Sequence, residues 1–580
     1  MRRFTYALLA LFLCAAGARA QNVPVQEVLL ENGLRVLMVP RKGDPNIAAG
    51  WITRTGSVNE RPGITGLSHL FEHMMFKGTR AVGTKNIDEN LKVLKEMDDV
   101  RAQIRAEEKE LIRRARLGEV ADTKDPKVRS ARHQQLLARF DELTRREKEL
   151  MVKDEFDRIY TTAGASGMNA GTSNDFTVYF INVPANKLEL WFWMESDRLL
   201  NPVFREFYSE RDVVHEERRL RTDSTPTGKF DEQFEAMFWM SSPYGWPVVG
   251  WPSDLEGITR EEALEYFAVN YAPNNLTAAL VGDFEPARAT ELARKYFGRL
   301  PRGPRDPEPV RTREMQQLAE QRMVAYAETS PQARVRYHTV ADGHPDDVAL
   351  SVLGSLLSGR TGRLYKALVV QQEVANNASA NQNGSKYEGY FELRGTAKPG
   401  KSPEEVEQAL YREVERIQKE PVPADELQKI KNQSAANQFR GLQSNFGLMV
   451  QLLLRDANRG WATINTDPAR VQAVTPADIQ RVANRYFAPE NRTVAIYRTK
   501  QAAAGGAAQD PALAGLSEQE RAQVQQLRAA LPQMKAEQVR AILQQVEQMG
   551  ASAPADKQKG IQLVKKMLED RLKQLEGGTK

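Results

Sequence analysis

Cysteine is nearly absent from this chain: Cys14 is the only one in 580 residues. No disulfide framework can hold such a protein, so its stability must come from apolar cores. Long apolar runs are missing as well. After the first twenty residues no stretch approaches eighteen uninterrupted apolar positions, which predicts no integral membrane segment after cleavage of a leader. Neither sign of charge dominates. With Arg2, Arg3 and Arg19 set aside, 78 basic residues face 76 acidic ones, a balance that argues for no nucleic acid among the partners. The 38 glycines and 29 prolines are too few for a collagen-like or low-complexity chain, and a 41% hydrophobic composition excludes wholesale disorder. A chain of this length should divide into several domains.

The start of the chain explains the cysteine. Arg2-Arg3 precede an apolar run from Phe4 to Gly17, and Ala18-Arg19-Ala20 forms an A-x-A cleavage site. Leu13 is too large for a lipobox before Cys14. Residues 1–20 therefore read as a signal peptide, and the mature protein as periplasmic or secreted.

Glu27 to Glu31 and Leu34 to Val39 flank Asn32-Gly33, which predicts a β-hairpin with a type I′ turn. A third strand is expected over Ile47 to Thr55 and a helix over Gly66 to Phe76. Strands first and helices second make an α+β pattern. Between Leu91 and Leu150, 29 of 60 residues are charged, roughly twice the chain's average, so this segment is set apart from its surroundings. Met97, Ile104 and Leu111 are spaced by sevens, as are Leu136, Leu143 and Leu150, with turn formers between Gly118 and Pro126. A charged, coiled-coil-like helical hairpin over residues 86–155 is expected, projecting from the domain or lying across it. It could be a docking arm or a solvated spacer.

The chain also repeats itself. Tyr271-Ala272-Pro273-Asn274-Asn275-Leu276-Thr277 aligns without a gap with Phe487-Ala488-Pro489-Glu490-Asn491-Arg492-Thr493, 216 residues later. That interval is too long for a solenoid and points to duplicated domains. The expected division is 21–300, a linker 301–311, a homologous domain 312–498, a second linker 499–515 and a helical tail 516–580. Ser517 and Glu520 form a capping box for the tail.

Two of only six histidines lie in His69-Leu70-Phe71-Glu72-His73. On a helix they are about 40° apart and one turn apart in height, so both imidazoles can reach one metal ion. Glu72 lies beside them, placed to take a proton from metal-bound water. This order, H-x-x-E-H, is the inverzincin motif. Alone, the pattern could also be two surface histidines near a solvated glutamate. Further on, Glu210 and Glu217 stand seven apart on one helix side. His215-Glu216 does not open an H-E-x-x-H motif, because position 219 is Arg.

Together these residues resemble the pitrilysin/insulinase family of zinc metallopeptidases, which includes the mitochondrial processing peptidase, over roughly residues 25–498. The resemblance implies two homologous domains, each an antiparallel-rich sheet with helices on one face, forming a clamshell around a substrate chamber. It implies one Zn2+ per chain, held by His69, His73 and Glu217, with Glu210 supporting the site from behind and Glu72 as general base. It also implies that Asn169-Ala170 lie on an edge strand that binds a peptide or unfolded polypeptide substrate. The interval of 143 residues between His73 and Glu217 exceeds the family's usual one, and the charged hairpin accounts for the excess.

The second half has no H-x-x-E-H. Aligning Gly362-Arg363-Leu364-Tyr365 with the corresponding family helix puts Val369 and Asn376 where single-unit members carry an Arg and a Tyr. Arg360, Arg363 and Tyr365 are the nearby polar candidates. The expected protein is thus a zinc endopeptidase, working as a homodimer or beside a homologous subunit that carries the Arg/Tyr pair. The alternative is a peptide-binding or scaffold subunit whose zinc site is idle.

Overall fold

A computed structural model describes residues 22–500, and of the remainder 524, 527, 528, 531, 534, 536–551 and 558–577. The signal-peptide reading, residues 501–515 of the second linker and the Ser517/Glu520 cap fall outside the described residues, while Thr499, expected to open that linker, closes the strand Arg492–Thr499. The chain divides after Thr499 into two compact units.

The larger unit contains two sheets. The first is built from β1 (Gln26–Leu29), β2 (Arg35–Pro40), β3 (Asn46–Thr53), β4 (Ser166–Thr172), β5 (Thr177–Pro184) and β6 (Leu276–Gly282), in the spatial order β1-β2-β6-β3-β5-β4. The second comprises β7 (Gln321–Ala327), β8 (Gln332–Thr339), β9 (Ala375–Gly384), β10 (Gly389–Ala397) and β11 (Arg492–Thr499), in the order β7-β11-β8-β10-β9. The duplication legible in the sequence is visible here. β6 pairs parallel to β2 and antiparallel to β3, and β11 pairs in the same way with β7 and β8.

The helices used below are α1 (Leu67–Met74), α2 (Ile87–Arg116), α3 (Ala131–Leu150), α4 (Phe207–Arg218), α5 (Gly228–Phe238), α6 (Arg260–Asn270), α7 (Pro345–Leu357), α8 (Asn445–Asn458), α9 (Pro476–Tyr486), α10 (Ala536–Ala551) and α11 (Gln558–Gly577). α6 and α9 are the repeated helices. Each opens with a capping box, Thr259 with Glu262 and Thr475 with Asp478, which satisfies two otherwise unpaired N–H groups. In the smaller unit, α10 and α11 pack around Val539, Val546 and Leu568.

The first hairpin departs from the type I′ expectation. Leu29 pairs with Arg35, Gly33 N donates to Leu30 O, and only Gly33 in the turn has positive φ. This is a three-residue loop with a left-handed glycine. The reason is tertiary: the Asn32 amide donates to the carbonyls of Phe297 and Leu300, at 2.8 and 3.0 Å.

The charged segment forms two helices, α2 and α3, that run antiparallel, with ion pairs Glu89–Arg146, Glu96–Arg139 and Glu107–Arg132 along their length. Met97, Ile104, Leu111, Leu143 and Leu150 are all buried. The pair lies across its domain rather than projecting, because Met97, Val100, Ile104, Leu143 and Leu150 join that domain's core, with Asp98–Arg260 and Lys124–Glu256 ion pairs at the edge. Among the described residues no helix is long and apolar enough to cross a membrane.

Each sheet carries helices of its own half on one face, and its other face receives a helix from the opposite half. Where α5 meets β8, the His338 ring stacks on Phe238 at 3.9 Å, with both nitrogens buried and unpartnered. Burial pulls the His338 pKa down to about 4. A base depressed in this way stabilises the fold above pH 6.5, and the contribution disappears as pH falls from 6.5 toward 4. The loss should be about 3 kcal/mol. His338→Phe keeps the stacking without a titrating group, so its urea midpoint should fall less than wild type's over that range. Parallel curves for the two proteins would contradict this.

Candidate active site

The motif helix α1 is fixed from its start. Gly66 takes φ +89°, and a Cβ there would stand 2.6 Å from Val249 O, so only glycine lets the 249–250 loop lie so close. The buried Glu60 carboxylate accepts N–H groups of Gly66 and Ser68, at 2.8 and 2.6 Å. Burial raises its pKa to about 8 despite these two bonds. Leu67, Leu70, Phe71 and Met74 enter the core, and the opposite face of the helix carries the motif.

α4 brings the glutamates to that face. Phe207 and Val214 anchor it in the core. Its end is held by Arg218, which pairs with both oxygens of Glu232 at 2.7 Å and donates to Gly250 O. Beyond Arg218 the helix widens into a π turn over Arg219–Asp223, a rare geometry that recurs at functional sites.

His69, His73 and Glu217 converge, with one donor atom from each lying within 4.8 Å of the others. Glu217 Oε2 is 3.6 Å from His69 Nε2 and 3.3 Å from His73 Nε2. A tetrahedral ion with bonds near 2.1 Å separates its ligand atoms by about 3.4 Å, so this donor set fits zinc. His73 Nδ1 lies 2.9 Å from Glu210 Oε1, which leaves Nε2 free to face the other donors. His69 Nδ1 is buried without a hydrogen-bond partner among the described residues.

Charges support the arrangement. Burial lowers the pKa of His69, and the neighbouring His73 adds to this, favouring the neutral imidazole that a metal requires. For His73, burial opposes protonation, but Glu210 and then Glu217 outweigh it and the pKa rises. Burial would raise the Glu210 carboxyl, yet His73 and Lys77 hold it below the usual carboxylate range.

His69, Glu72 and Glu217 share a cleft of about 450 Å³ with Asn169, Ala170, Gly171 and Thr172 of β4. Among the described residues β4 is the outermost strand, paired only with β5, and it contains neither proline nor charge along its outer side. A Cβ at Gly171 would meet nothing within 4 Å, so another chain can approach closely. Asn169 is exposed, and its Oδ1 accepts the N–H of Ala170 at 2.8 Å.

Sequence reasoning did not assign roles to Thr172, Lys77 or Arg221. Thr172 Oγ1 donates to Glu72 Oε2 at 2.7 Å, Lys77 Nζ lies 2.6 Å from Glu210 Oε2, and Arg221 pairs with the outer oxygen of Glu217. Lys77 lies four residues after His73, but no spacing rule marks it. His215 stays outside the cluster, in a separate cleft with Arg211 and His133.

Among the described residues, the second half offers no comparable donor set. Val369 is half-buried against that half's core, and Asn376 Nδ2 sits 3.4 Å from Ala397 O on β10. Arg363 is tied to both oxygens of Glu426, at 3.1 and 2.7 Å, beside a mixed-charge cleft of about 540 Å³.

A duplicated α+β fold with an H-x-x-E-H helix facing an open edge strand is the build of the inverzincin class. Two family models match it: Insulinase (Peptidase family M16) over residues 35–107, and Peptidase M16 inactive domain over 257–434. Both domain models of the insulinase/pitrilysin family are thus matched within this chain. It is 25% identical to the zinc protease PqqE of Helicobacter pylori over 82% of this chain and 92% of that protein. It is 23% identical to a probable mitochondrial-processing peptidase subunit beta of Arabidopsis thaliana, over 55% of this chain and 62% of that protein. The fold is shared with the crystal structure of a protease from Helicobacter pylori, with a TM-score of 0.67 at 23% identity over 82% of this chain and all of the other. The periplasmic protease PqqL from Escherichia coli superimposes with a TM-score of 0.60 at 15% identity, over 83% of this chain and 48% of that one.

The Thr172 contact can be tested alone. Thr172→Val should lower peptide turnover by roughly tenfold while zinc content is unchanged, since it removes one bond that orients Glu72. Thr172→Ser should restore most of the loss. Equal turnover in Thr172→Val and wild type would remove Thr172 from the site.

Proposed function

We propose that the chain is a zinc-dependent endopeptidase that cleaves peptides or unfolded polypeptides after export to the periplasm. The convergence of His69, His73 and Glu217 beside Glu72 and the open edge of β4 carries this reading. Zinc held by those three residues would supply an acidified water and a Lewis acid for the scissile carbonyl. Glu72, oriented by Thr172, takes the proton from the attacking water and returns it to the leaving amine. β4 holds the substrate backbone as an added strand, along which Asn169 is exposed and Ala170 half-buried. No serine or cysteine nucleophile is involved. The reading of residues 1–20 as an export signal supports the location.

The test compares zinc content with turnover. Glu72→Gln should keep its metal and lose at least about a hundredfold in peptide hydrolysis, because an amide cannot act as a base. Glu217→Gln and His73→Ala should lose zinc on dialysis. Full hydrolysis in the Glu72 variant, or full metal occupancy in the other two, would defeat the assignment.

The same reading includes a partner. Val369 and Asn376 offer no substitute for the Arg/Tyr pair, and the model matching the second half is described as an inactive domain. We therefore read the chain as the zinc-bearing member of a pair whose homologous subunit supplies those donors. A homodimer using Arg360 or Tyr365 is the simpler arrangement. A peptide-binding subunit with an idle zinc site is the second reading. Losing such donors costs about 2–4 kcal/mol of transition-state stabilisation, so the isolated chain should turn over peptide at least about thirtyfold more slowly than the pair. Measuring hydrolysis with and without co-expressed homologues decides the matter. Full activity of the chain alone would exclude the split site, and no activity in any combination would favour the idle-site subunit.

A further inference from the structure

We propose that the helical pair α2–α3 is a working part of the metal centre, with Glu147 of α3 as a positioning residue for Glu210 and, through it, for His73. This rests on the zinc-peptidase reading above. A continuous series of polar contacts joins them. Glu147 is 1% exposed, and its Oε1 accepts the backbone N–H of Glu206 at 2.8 Å. Glu206 directly precedes α4 at φ +55°, a left-handed conformation that a side-chain-bearing residue keeps only where its surroundings hold it. The Glu206 carboxylate shares the Lys77 ammonium with Glu210, at 3.2 and 2.6 Å. The other oxygen of Glu210 lies 2.9 Å from His73 Nδ1.

The arrangement makes physical sense only if that backbone N–H must stay in place. Burying a carboxyl group is costly, and among the described residues the one hydrogen-bond donor to the Glu147 carboxylate is this peptide N–H. The same stretch is gripped twice more. Asp98 of α2 accepts from Tyr208 Oη at 3.3 Å, and Phe140 of α3 meets the Tyr208 ring edge-on at 5.2 Å. All three contacts fall on residues 206–208, at the end of α4 that carries Glu210. Lys77 is reached from the pair by a second route. Fully buried Arg205 donates to the carbonyls of Lys77, Thr79 and Val82, and also to Asn90 Oδ1 of α2 at 2.7 Å. The helical pair therefore fixes both the lysine and the start of the glutamate helix. A carboxylate held against His73 Nδ1 fixes the tautomer and presents Nε2 to the metal, and disturbing such a contact typically costs roughly 10–100-fold in metal affinity.

The experiment measures zinc affinity of the full chain by competition with a chelating dye, alongside the melting temperature of the metal-free protein. The variants are Glu147→Ala, Glu147→Gln, Lys77→Met and the double variant Glu147→Ala/Lys77→Met. Glu147→Ala and Lys77→Met should each weaken zinc binding by roughly tenfold or more. Glu147→Gln should bind zinc within about twofold of wild type, because its amide oxygen accepts the same N–H. The double variant should be little weaker than the worse single one, since both act through Glu210. Wild-type affinity in Glu147→Ala and Lys77→Met overturns the proposal. So does equal loss in Glu147→Gln and Glu147→Ala, or full additivity in the double variant. If Glu147→Ala does not fold, Lys77→Met and Glu147→Gln still decide, Lys77 being partly exposed. A wild-type chain that binds no zinc would instead remove the zinc-peptidase reading on which the proposal stands.

Discussion

Helix α8 leaves the second half and lies across the far face of the first sheet, where Leu448, Met449, Leu452 and Leu453 cover Leu37, Ala48, Ile52 and Ala279. The approach is close: a Cβ on Gly50 would stand 3.0 Å from Met449 Sδ. The first half reciprocates, pressing Phe234 of α5 against Ala325, Ala495 and Tyr497 of the second sheet. Buried ions lock both contacts. Asp456 on α8 accepts from Arg35, Arg54 and Thr277, at 2.6, 2.8 and 2.6 Å, and Arg336 on β8 pairs with Glu235 of α5 and with Glu392. Burial would raise the Asp456 carboxyl, but Thr277 and the two arginines hold it below its usual range. Removing one partner of such a buried set costs about 3–5 kcal/mol, because the remaining charge is left uncompensated.

The exchange matters to the site because α5 is the next helix after α4. Arg218 at the end of α4 pairs with Glu232 on α5, so anchoring α5 on the second sheet also anchors the end of α4 that carries Glu217. The helical pair grips the other end. The two glutamates facing His69 and His73 are thus set from opposite directions, one by each neighbour of α4. Metal sites need this rigidity, since ligand atoms must be held to a few tenths of an ångström.

Local relations are the legible part of this fold. Helical spacing places His69 and His73 together, heptads predict the burial of Met97, Ile104, Leu111, Leu143 and Leu150, and the repeated Pro turn announces the second sheet. Contacts between distant segments are not legible. Spacing alone cannot rank Glu210 against Glu217, which share one helix side; the structure puts one at Nδ1 of His73 and the other at Nε2. Asn32-Gly33 favours a type I′ turn in isolation, but carbonyls 265 and 268 residues away redirect Asn32. Lys77 and Thr172 acquire roles only from side chains 133 and 100 residues distant in sequence.

The two halves differ chemically where they agree in architecture. α1 lies beside edge strand β4, and α7 lies beside the corresponding edge strand β9. α7 fills its inner face with Leu350, Leu353, Leu356 and Leu357, all buried. α1 is shorter and devotes part of its surface to His69, Glu72 and His73, with Glu60, Lys77 and Glu210 drawn in behind them. Each leucine fully buried contributes about 1.5–3 kcal/mol, whereas polar groups taken from water gain little beyond their own hydrogen bonds. The first half thus bears the energetic cost of a preorganised polar site, and the second half keeps the apolar packing. The helix exchange joins the two, so the stability of the apolar half offsets the cost of the polar one. This is a physical reason for a duplicated chain to retain a half that is packed mainly with apolar side chains.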